Sequence, residues 1–328
     1  MRLNLAVETR VWPLHEPFTI SRGTTTESHG VVVTLTDDTG RRGRGEGCGV
    51  PYAGEKPESI TRQIEAARAA IEGGVTRQGL LDLLPAGGAR CAIDAALWDL
   101  EAKRLGRSVF GLAGIAEPQA VNTAYTIGIR PIPDYETAAA TRSAHALLKI
   151  KVDEQDPLAA VAAARRGAPN AAFIVDPNQA WSIDALKRMA PRMAELGVVL
   201  LEQPIRVGDE AGLDGYRCPI RLCADELIHE APDLEKARNR FDVINIKLDK
   251  TGGLTRALEL ASAAKASGFA LMVGCMGGSS LSMAPAMVLA QQCAFVDLDG
   301  PLLQSEDWPG GLSYRDGVVQ PPVPAFWG

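Results

Sequence analysis

The chain has 328 residues, enough for one large domain or two, with 46% hydrophobic and 23% charged residues. That balance excludes a disordered chain, a collagen-like fibre and a coiled coil. A net charge of −6 with no basic stripe argues against a nucleic-acid partner. Six cysteines without a C-x-x-C pair read as reduced, mostly buried thiols of a cytoplasmic protein. Four histidines without ligand spacing argue against zinc.

In chain order, Leu3–Val11, Gly30–Thr36 and Arg41–Gly47 read as strands, with a turn at Asp37-Asp38-Thr39-Gly40. The run Gly43–Gly49 is glycine-rich, but no helix follows it directly, so it reads as a plain loop and not as a dinucleotide fingerprint. A helix begins near Pro57, with Ile60, Ile64, Ala67 and Ile71 at helical spacing. A second spans Ala89–Leu105, with Ile93, Leu97 and Leu100 on one face and Gly106 as its stop. Strands followed by helices predict an α+β domain over residues 1–118.

The rest of the chain repeats a short apolar run followed by a helical stretch. The runs are Asn122–Ile127, Leu147–Val152, Ala172–Val175, Val198–Leu201, Ile220–Cys223, Val243–Leu248, Ala270–Val273 and Ala294–Val296. Helices are expected between them, for example over Ile183–Leu196 and Leu254–Ala266. The residues closing the runs are Thr126, Lys151, Asp176, Glu202, Asp225, Lys247, Gly274 and Asp297, spaced by 25, 25, 26, 23, 22, 27 and 23. A βα unit has this length, and eight of them close a modified (β/α)8 TIM-type barrel. The predicted barrel covers 119–312, and 313–328 is a tail expected to pack back on the N-terminal domain. Residues Ala266–Val296 carry no charge. Glycines and Pro285 break that stretch, so it reads as strand, loop and core helix, and no membrane partner is expected.

In this fold, functional groups collect at the C-terminal ends of strands. Three successive runs end in Asp176, Glu202 and Asp225. Adjacent parallel strands lie about 4.8 Å apart, so these carboxylates can converge, and they would repel without a cation between them. An all-oxygen ligand set selects a hard ion, Mg2+ above all. Lys149 and Lys151 are two apart on one strand and share a face, and Lys247 sits across the barrel. Neighbouring cations should depress one another's pKa, which would make Lys151 a general base. Two bases on opposite faces of a metal-bound substrate suit removal and return of a proton beside a carboxylate. The intermediate then carries two negative charges on the carboxyl oxygens, and the metal makes it accessible.

These residues resemble the enolase superfamily, and the K-x-K at Lys149–Lys151 with Lys247 resembles its muconate-lactonizing subgroup, dipeptide epimerases in particular. The similarity extends to Ala92–Leu100 in the capping domain and Asn245–Leu254 at the sixth strand. It implies metal binding by Asp176, Glu202 and Asp225. It also implies acid–base roles for Lys151 and Lys247, with Lys149 as a supporting cation. Asp297-Leu298-Asp299 is similar to the pair that holds a dipeptide's α-ammonium. Asn178 shares the face of Asp176 and would support the metal shell or substrate. Phe18–Gly23 resembles a mobile loop closing over the barrel, where Arg22 would suit a side-chain or terminal carboxylate, and Thr126 would hydrogen-bond the substrate carboxylate. Many relatives carry a glutamate in the loop after the seventh strand, and Gly274–Ser280 has none, which weighs against cycloisomerisation.

The expected activity is Mg2+-dependent epimerisation of dipeptides, L-Ala-D-Glu and L-Ala-L-Glu first, as in murein peptide recycling. An N-acylamino acid racemase, an o-succinylbenzoate synthase and a silent metal- and carboxylate-binding protein stay open as alternatives, as does assembly into a homo-oligomer.

Overall fold

The computed structural model describes residues 2–328. An antiparallel sheet, β1 (Leu3–Ile20), β2 (Gly23–Asp37) and β3 (Arg42–Gly47), opens the N-terminal domain. Helices α1 (Pro57–Glu72), α2 (Arg77–Leu83), α3 (Gly88–Leu105) and α4 (Val109–Leu112) follow. Ile60, Ile64 and Ile71 of α1 and Ile93 of α3 are fully buried against Val31, Val33 and Leu35 of β2. Each such side chain contributes about 1.5–3 kcal/mol.

Two features of this domain differ from expectation. The first is the length of the hairpin. β1 and β2 pair from Leu3↔Asp37 to Ile20↔Gly23, with one register shift between Pro13 and Phe18. The segment Phe18–Gly23 is therefore the tip of a long ribbon and not a free loop. Its outer part lacks apolar alternation, so period-2 patterning did not mark it. The second is the glycine run, where the strand reading of Arg41–Gly47 holds and the loop reading of Gly43–Gly49 does not up to Gly47. Gly43, Gly45 and Gly47 are strand residues two apart, on the face of β3 that lies on α3. A Cβ on Gly45 would collide with the Ala92 carbonyl and stand 2.8 Å from Ala95 Cβ and Ala96 N. The glycines bring a strand against a helix backbone, and Gly88, Ala92 and Ala96 repeat at i, i+4, i+8 to receive them.

The barrel is an eight-stranded parallel sheet. Its strands are β5 (Tyr125–Ile127), β6 (Leu147–Lys151), β7 (Ala172–Asp176), β8 (Val198–Glu202), β9 (Arg221–Ala224), β10 (Val243–Lys247), β11 (Ala270–Gly274) and β12 (Phe295–Val296). The Ala124 N–H donates to Val296 C=O at 2.8 Å, which brings the first and last strands together. Connecting helices are α5 (Ile132–Ala140), α6 (Pro157–Gly167), α7 (Ile183–Glu195), α8 (Leu234–Ala237), α9 (Leu248–Thr251), α10 (Leu254–Ala266), α11 (Ser280–Ala290) and α12 (Gly300–Leu303). Sequence chemistry sets their starts: Asp156 and Ser182 cap α6 and α7 through Ala159 N (3.1 Å) and Ala185 N (3.2 Å). The uncharged stretch after Ala266 forms β11 and the fully buried α11. No helix among the described residues is long and apolar enough to cross a membrane.

Strand periodicity sorts the barrel interior into layers. Ala124, Ile174, Leu200, Cys223, Val243 and Met272 form an apolar cluster inside the ring. Two residues further along each strand, on the same face, stand Thr126, Asp176, Glu202, Asp225, Asn245 and Gly274. The apolar floor thus fixes which polar residues face the mouth.

The two domains meet through buried polar bonds. Asp94 of α3 accepts from Thr255 N (3.0 Å) and Oγ1 (2.5 Å) at the start of α10. Asp249 Oδ1 accepts from Cys48 N and Gly49 N, both at 2.8 Å. Arg90 donates to Gly252 O (3.1 Å) and Thr251 O (2.8 Å). A small sheet joins β4 (Val121–Asn122) with β13 (Tyr314–Arg315) and β14 (Val318–Val319). Beyond it, Trp327 Nε1 donates to Arg44 O at 3.0 Å and Gly328 N to Asp99 Oδ1 at 2.7 Å. All six cysteines are free; Cys91 and Cys223 are buried and the other four are partly exposed, which corrects the expectation of mostly buried thiols.

Candidate active site at the barrel mouth

Asp176 and Glu202 end β7 and β8, Asp225 follows β9, and each is at most 1% exposed. Lysines stand between them. Lys149 Nζ lies 2.7 Å from Asp297 Oδ2, 2.8 Å from Glu202 Oε2 and 3.2 Å from Asp176 Oδ2. Lys151 Nζ lies 2.5 Å from Asp176 Oδ2 and donates to Asn178 Oδ1 at 3.0 Å. Lys247 Nζ is 2.6 Å from Asp225 Oδ2 and 4.0 Å from Glu202 Oε1. Lys151 and Lys247 rise from β6 and β10, four strands apart in a ring of eight, and so reach the site from opposite sides.

The backbone around the carboxylates is held in unusual conformations. Asn178, Gln179 and Gln203 have φ of +48°, +69° and +33°, in the left-handed region that side chains other than Asn rarely adopt. Gln203 Oε1 accepts from Asp225 N at 2.9 Å and so fixes the start of that residue. Gly274 keeps the opposite wall open: a Cβ there would stand 2.9 Å from the Asn245 amide and 3.1 Å from Lys247 Cε.

The electrostatics differ from the expectation that the lysines depress one another. Burial works against the Lys149 ammonium, yet Asp297, Glu202 and Asp176 carry its pKa well above the ordinary lysine value. Burial likewise opposes the charge on Lys247, and Asp225 and Glu202 raise it. Each ammonium lies nearer to a carboxylate than to another ammonium, and the nearer charge dominates. The counterparts follow suit. Burial pushes Asp176 up, but Lys151 and Lys149 bring it below the usual range. Lys247 and Lys250 overcome burial at Asp225 and hold it well below that range. Glu202 goes up, because burial and the neighbouring Asp176 and Asp225 outweigh Lys149.

Asp297 and Asp299 follow β12 across the mouth. Thr126 directs both donors at this pair, its N–H to Asp299 Oδ2 (2.6 Å) and its hydroxyl to Asp297 Oδ1 (3.4 Å). Burial and the charge of Asp297 push Asp299 up to about 7. Arg22, at the hairpin tip, donates to Glu226 Oε1 at 2.8 Å.

Three residues of this cluster carried no assignment from sequence. Lys250, 1% exposed, donates to Asp225 Oδ1 (2.7 Å), Asp225 O (2.5 Å) and Asn245 O (3.0 Å). Asn245 Nδ2 donates to Glu202 Oε1 at 2.9 Å. Glu226 receives Arg22. The signals were faint: Asn245 shares a strand face with Lys247, Lys250 lies one helical turn past it, and Glu226 only extends an acidic pair.

Among the described residues no three acidic, histidine or cysteine side chains converge on one point as ligands, because the ammonium groups lie between the carboxylates. The donor set nevertheless fits an oxygen-preferring divalent ion. Asn245 Oδ1 is a buried acceptor with no hydrogen bond, and Glu202 Oε2, likewise without one, meets only the Lys149 ammonium at 2.8 Å. Three buried carboxylates and an amide oxygen, with ammonium groups as their only cations among the described residues, are a set of hard oxygen donors that suits such an ion. A cavity of about 690 Å3 lies elsewhere, between α2 and α3, where Arg77 and Glu101 pair with each other.

Residues 2–114 match the family described as mandelate racemase / muconate lactonizing enzyme, N-terminal domain, and 134–324 match the enolase C-terminal domain-like family. The chain is 41% identical to the L-Ala-D/L-Glu epimerase of Escherichia coli K12, over 94% of this chain and 96% of that one. It is 42% identical to an N-acetyl-D-glutamate racemase of Pseudoalteromonas sp, over 85% of this chain and 90% of that one. An Agrobacterium tumefaciens enolase family member with homology to dipeptide epimerases, solved with sodium and L-Ala-L-Glu, superimposes with a TM-score of 0.96. It is 42% identical and covers 99% of this chain and 100% of that one. Two further dipeptide epimerases have been solved with Mg and a dipeptide.

Proposed function

The chain belongs to the mandelate racemase / muconate lactonizing enzyme family of the enolase superfamily, and from that premise we propose that it epimerises dipeptides at the α-carbon of the C-terminal residue. It is an isomerase, its cofactor is Mg2+, and its best substrates are L-Ala-D-Glu and L-Ala-L-Glu. The observation that carries this reading is a pair of lysines reaching one row of buried carboxylates from opposite sides of the ring.

Asp176, Glu202 and Asp225 hold the metal, which when bound supplies stabilisation of the negative charge that builds on the substrate carboxyl oxygens. Lys151 and Lys247 remove and return the α-proton from opposite faces, so that either epimer is converted through one loss and one return of a proton; a cation on Asp225 and Glu202 would offset the charge that holds Lys247 protonated and so let it serve as a base. Lys149 is the supporting cation that keeps three neighbouring carboxylates together. Asp297 and Asp299 hold the dipeptide's α-ammonium, a pairing supported by two acidic groups on one wall. Thr126 orients that pair. Asn178 fixes the Lys151 ammonium, and Arg22 receives the acidic side chain. A cytoplasmic role in recycling murein peptides follows from such substrates.

The test is incubation with L-Ala-L-Glu and Mg2+ in D2O, read by mass spectrometry and chiral chromatography. The unaltered enzyme incorporates one deuterium and yields the other epimer. Lys151→Ala and Lys247→Ala each abolish epimerisation, while either can still exchange the proton of one epimer. Full activity in both single variants refutes the two-lysine reading. EDTA abolishes turnover and Mg2+ restores it. N-acetylated L-Ala-L-Glu is a poor substrate, because it brings no ammonium to Asp297 and Asp299; equal turnover favours an N-acylamino acid racemase.

A further inference from the structure

Arg22 occupies the two-residue turn of the β1–β2 hairpin, and its partner Glu226 belongs to the barrel. The ion pair therefore ties the hairpin tip to the mouth. It is asymmetric: the arginine side chain is 36% exposed, the glutamate side chain 2%. The guanidinium also lies 5.3 Å from the centre of the Tyr52 ring. Glu226 Oε2 is buried with no hydrogen bond, and Oε1 is 3.5 Å from Asn178 Nδ2. Asn178 in turn accepts from Lys151. One carboxylate thus contacts both the arginine at the tip and the amide beside Lys151.

A buried carboxylate with one arginine as its main counter-ion depends on that arginine more than a surface pair would. A substrate carboxylate meeting Arg22 meets a cation already partly neutralised. A neutral side chain meets the same arginine with its charge satisfied.

We propose that Glu226 is a specificity-determining residue: it is the internal counter-ion that shares Arg22 with the substrate side chain, and it sets how strongly the site prefers acidic over neutral C-terminal residues. This rests on the dipeptide reading. Glu226 lowers the gain from an acidic side chain and lets the tip close over a neutral one without stranding a cation.

The experiment measures kcat/KM for L-Ala-L-Glu and L-Ala-L-Gln with the unaltered enzyme, Glu226→Gln, Arg22→Met and the double variant. Loss of the Glu226 charge raises the acidic-to-neutral ratio about five- to tenfold, through KM more than kcat, as expected for freeing a partly buried cation. Arg22→Met lowers the ratio, and the double variant matches Arg22→Met, because Glu226 acts on selectivity only through Arg22. An unchanged or lower ratio in Glu226→Gln overturns the proposal, as does any difference in ratio between the double variant and Arg22→Met. Glu226→Asp keeps the charge at shorter reach and raises the ratio by less; if Glu226→Gln does not fold, a rise in Glu226→Asp supports the proposal and a flat ratio overturns it. If the unaltered enzyme turns over neither dipeptide, the epimerase reading fails and this proposal falls with it. If it turns over both and the ratio never moves, only the role of Glu226 fails.

Discussion

Replacing Gly45 with alanine tests whether the glycines of β3 are there to let strand and helix touch. The added Cβ would stand 2.8 Å from Ala95 Cβ and from Ala96 N, besides its collision with the Ala92 carbonyl. Ordinary contact begins near 3.4 Å, so β3 and α3 must part by about 0.6 Å or more along a fully packed interface. Overpacking of this kind costs about 1–3 kcal/mol, and the upper end applies because the obstruction is helix backbone and not a movable side chain. The lower chain entropy of alanine offsets up to about 1 kcal/mol, leaving about 2 kcal/mol of destabilisation. Urea unfolding followed by circular dichroism measures it. Gly79→Ala is the control: Gly79 sits in α2 with its nearest neighbours at 3.3 and 3.6 Å, and helix propensity predicts a neutral to slightly stabilising change of up to about 1 kcal/mol. A Gly45→Ala protein within about 0.5 kcal/mol of the parent would refute the close-approach argument.

Two other sites give predictions of different kinds. Lys250→Met leaves Asp225 without one of its two ammonium partners; Mg2+ titration of activity should show affinity or turnover reduced about 10–100-fold, and an unchanged titration would make Lys250 a purely structural residue. Asp94 is fully buried, and burial raises its carboxyl to about 6 despite the bonds from Thr255. A folded-state pKa above the unfolded one means the native protein takes up the proton first. Its contribution to stability therefore grows as pH falls from about 7 to 4, by about 1–3 kcal/mol. Asp94→Asn should remove that part of the pH dependence of the urea midpoint, and parallel profiles for the two proteins would contradict it.

The barrel could be read from the chain because its strands are short apolar runs with a charge at the end, and the charge is what a buried strand excludes unless it faces a site. Asp176, Glu202 and Asp225 each stand out against an apolar run such as Phe173-Ile174-Val175. What could not be read is what depends on a neighbour distant in sequence. The strand over Arg41–Gly47 is legible, but the reason for Gly43, Gly45 and Gly47 along it is not until α3 is laid against them. The outer half of the β1–β2 hairpin has no apolar alternation, since it packs little and is specified by backbone pairing. Lys250 and Glu226 look like surface charges, because burial of a charge is a property of the partner that meets it. The rise at Lys149 escapes the sequence for the same reason: spacing along one strand reveals Lys151, whereas Asp297, Glu202 and Asp176, which raise Lys149, come from distant parts of the chain.

The bonds between the domains bear on how a substrate enters. Asp94, Asp249 and Arg90 join side chains of one domain to main-chain groups of the other, at three points close to the root of the N-terminal sheet. A hinge there would have to break several buried hydrogen bonds at once, so the domain boundary behaves as a weld. The β1–β2 ribbon is in turn clipped to the barrel beyond its root, by Ser305 N on Pro13 O, Ile129 N on Thr19 O and the Arg130–Glu16 pair. Lifting the ribbon tip from the mouth would part the Arg22–Glu226 and Arg130–Glu16 pairs and the bond on Thr19 O while the domains stay together. It follows that a chimaera exchanging N-terminal domains between relatives needs matched weld residues to fold, whereas grafting only the ribbon tip leaves the weld intact and exchanges the segment that carries Arg22.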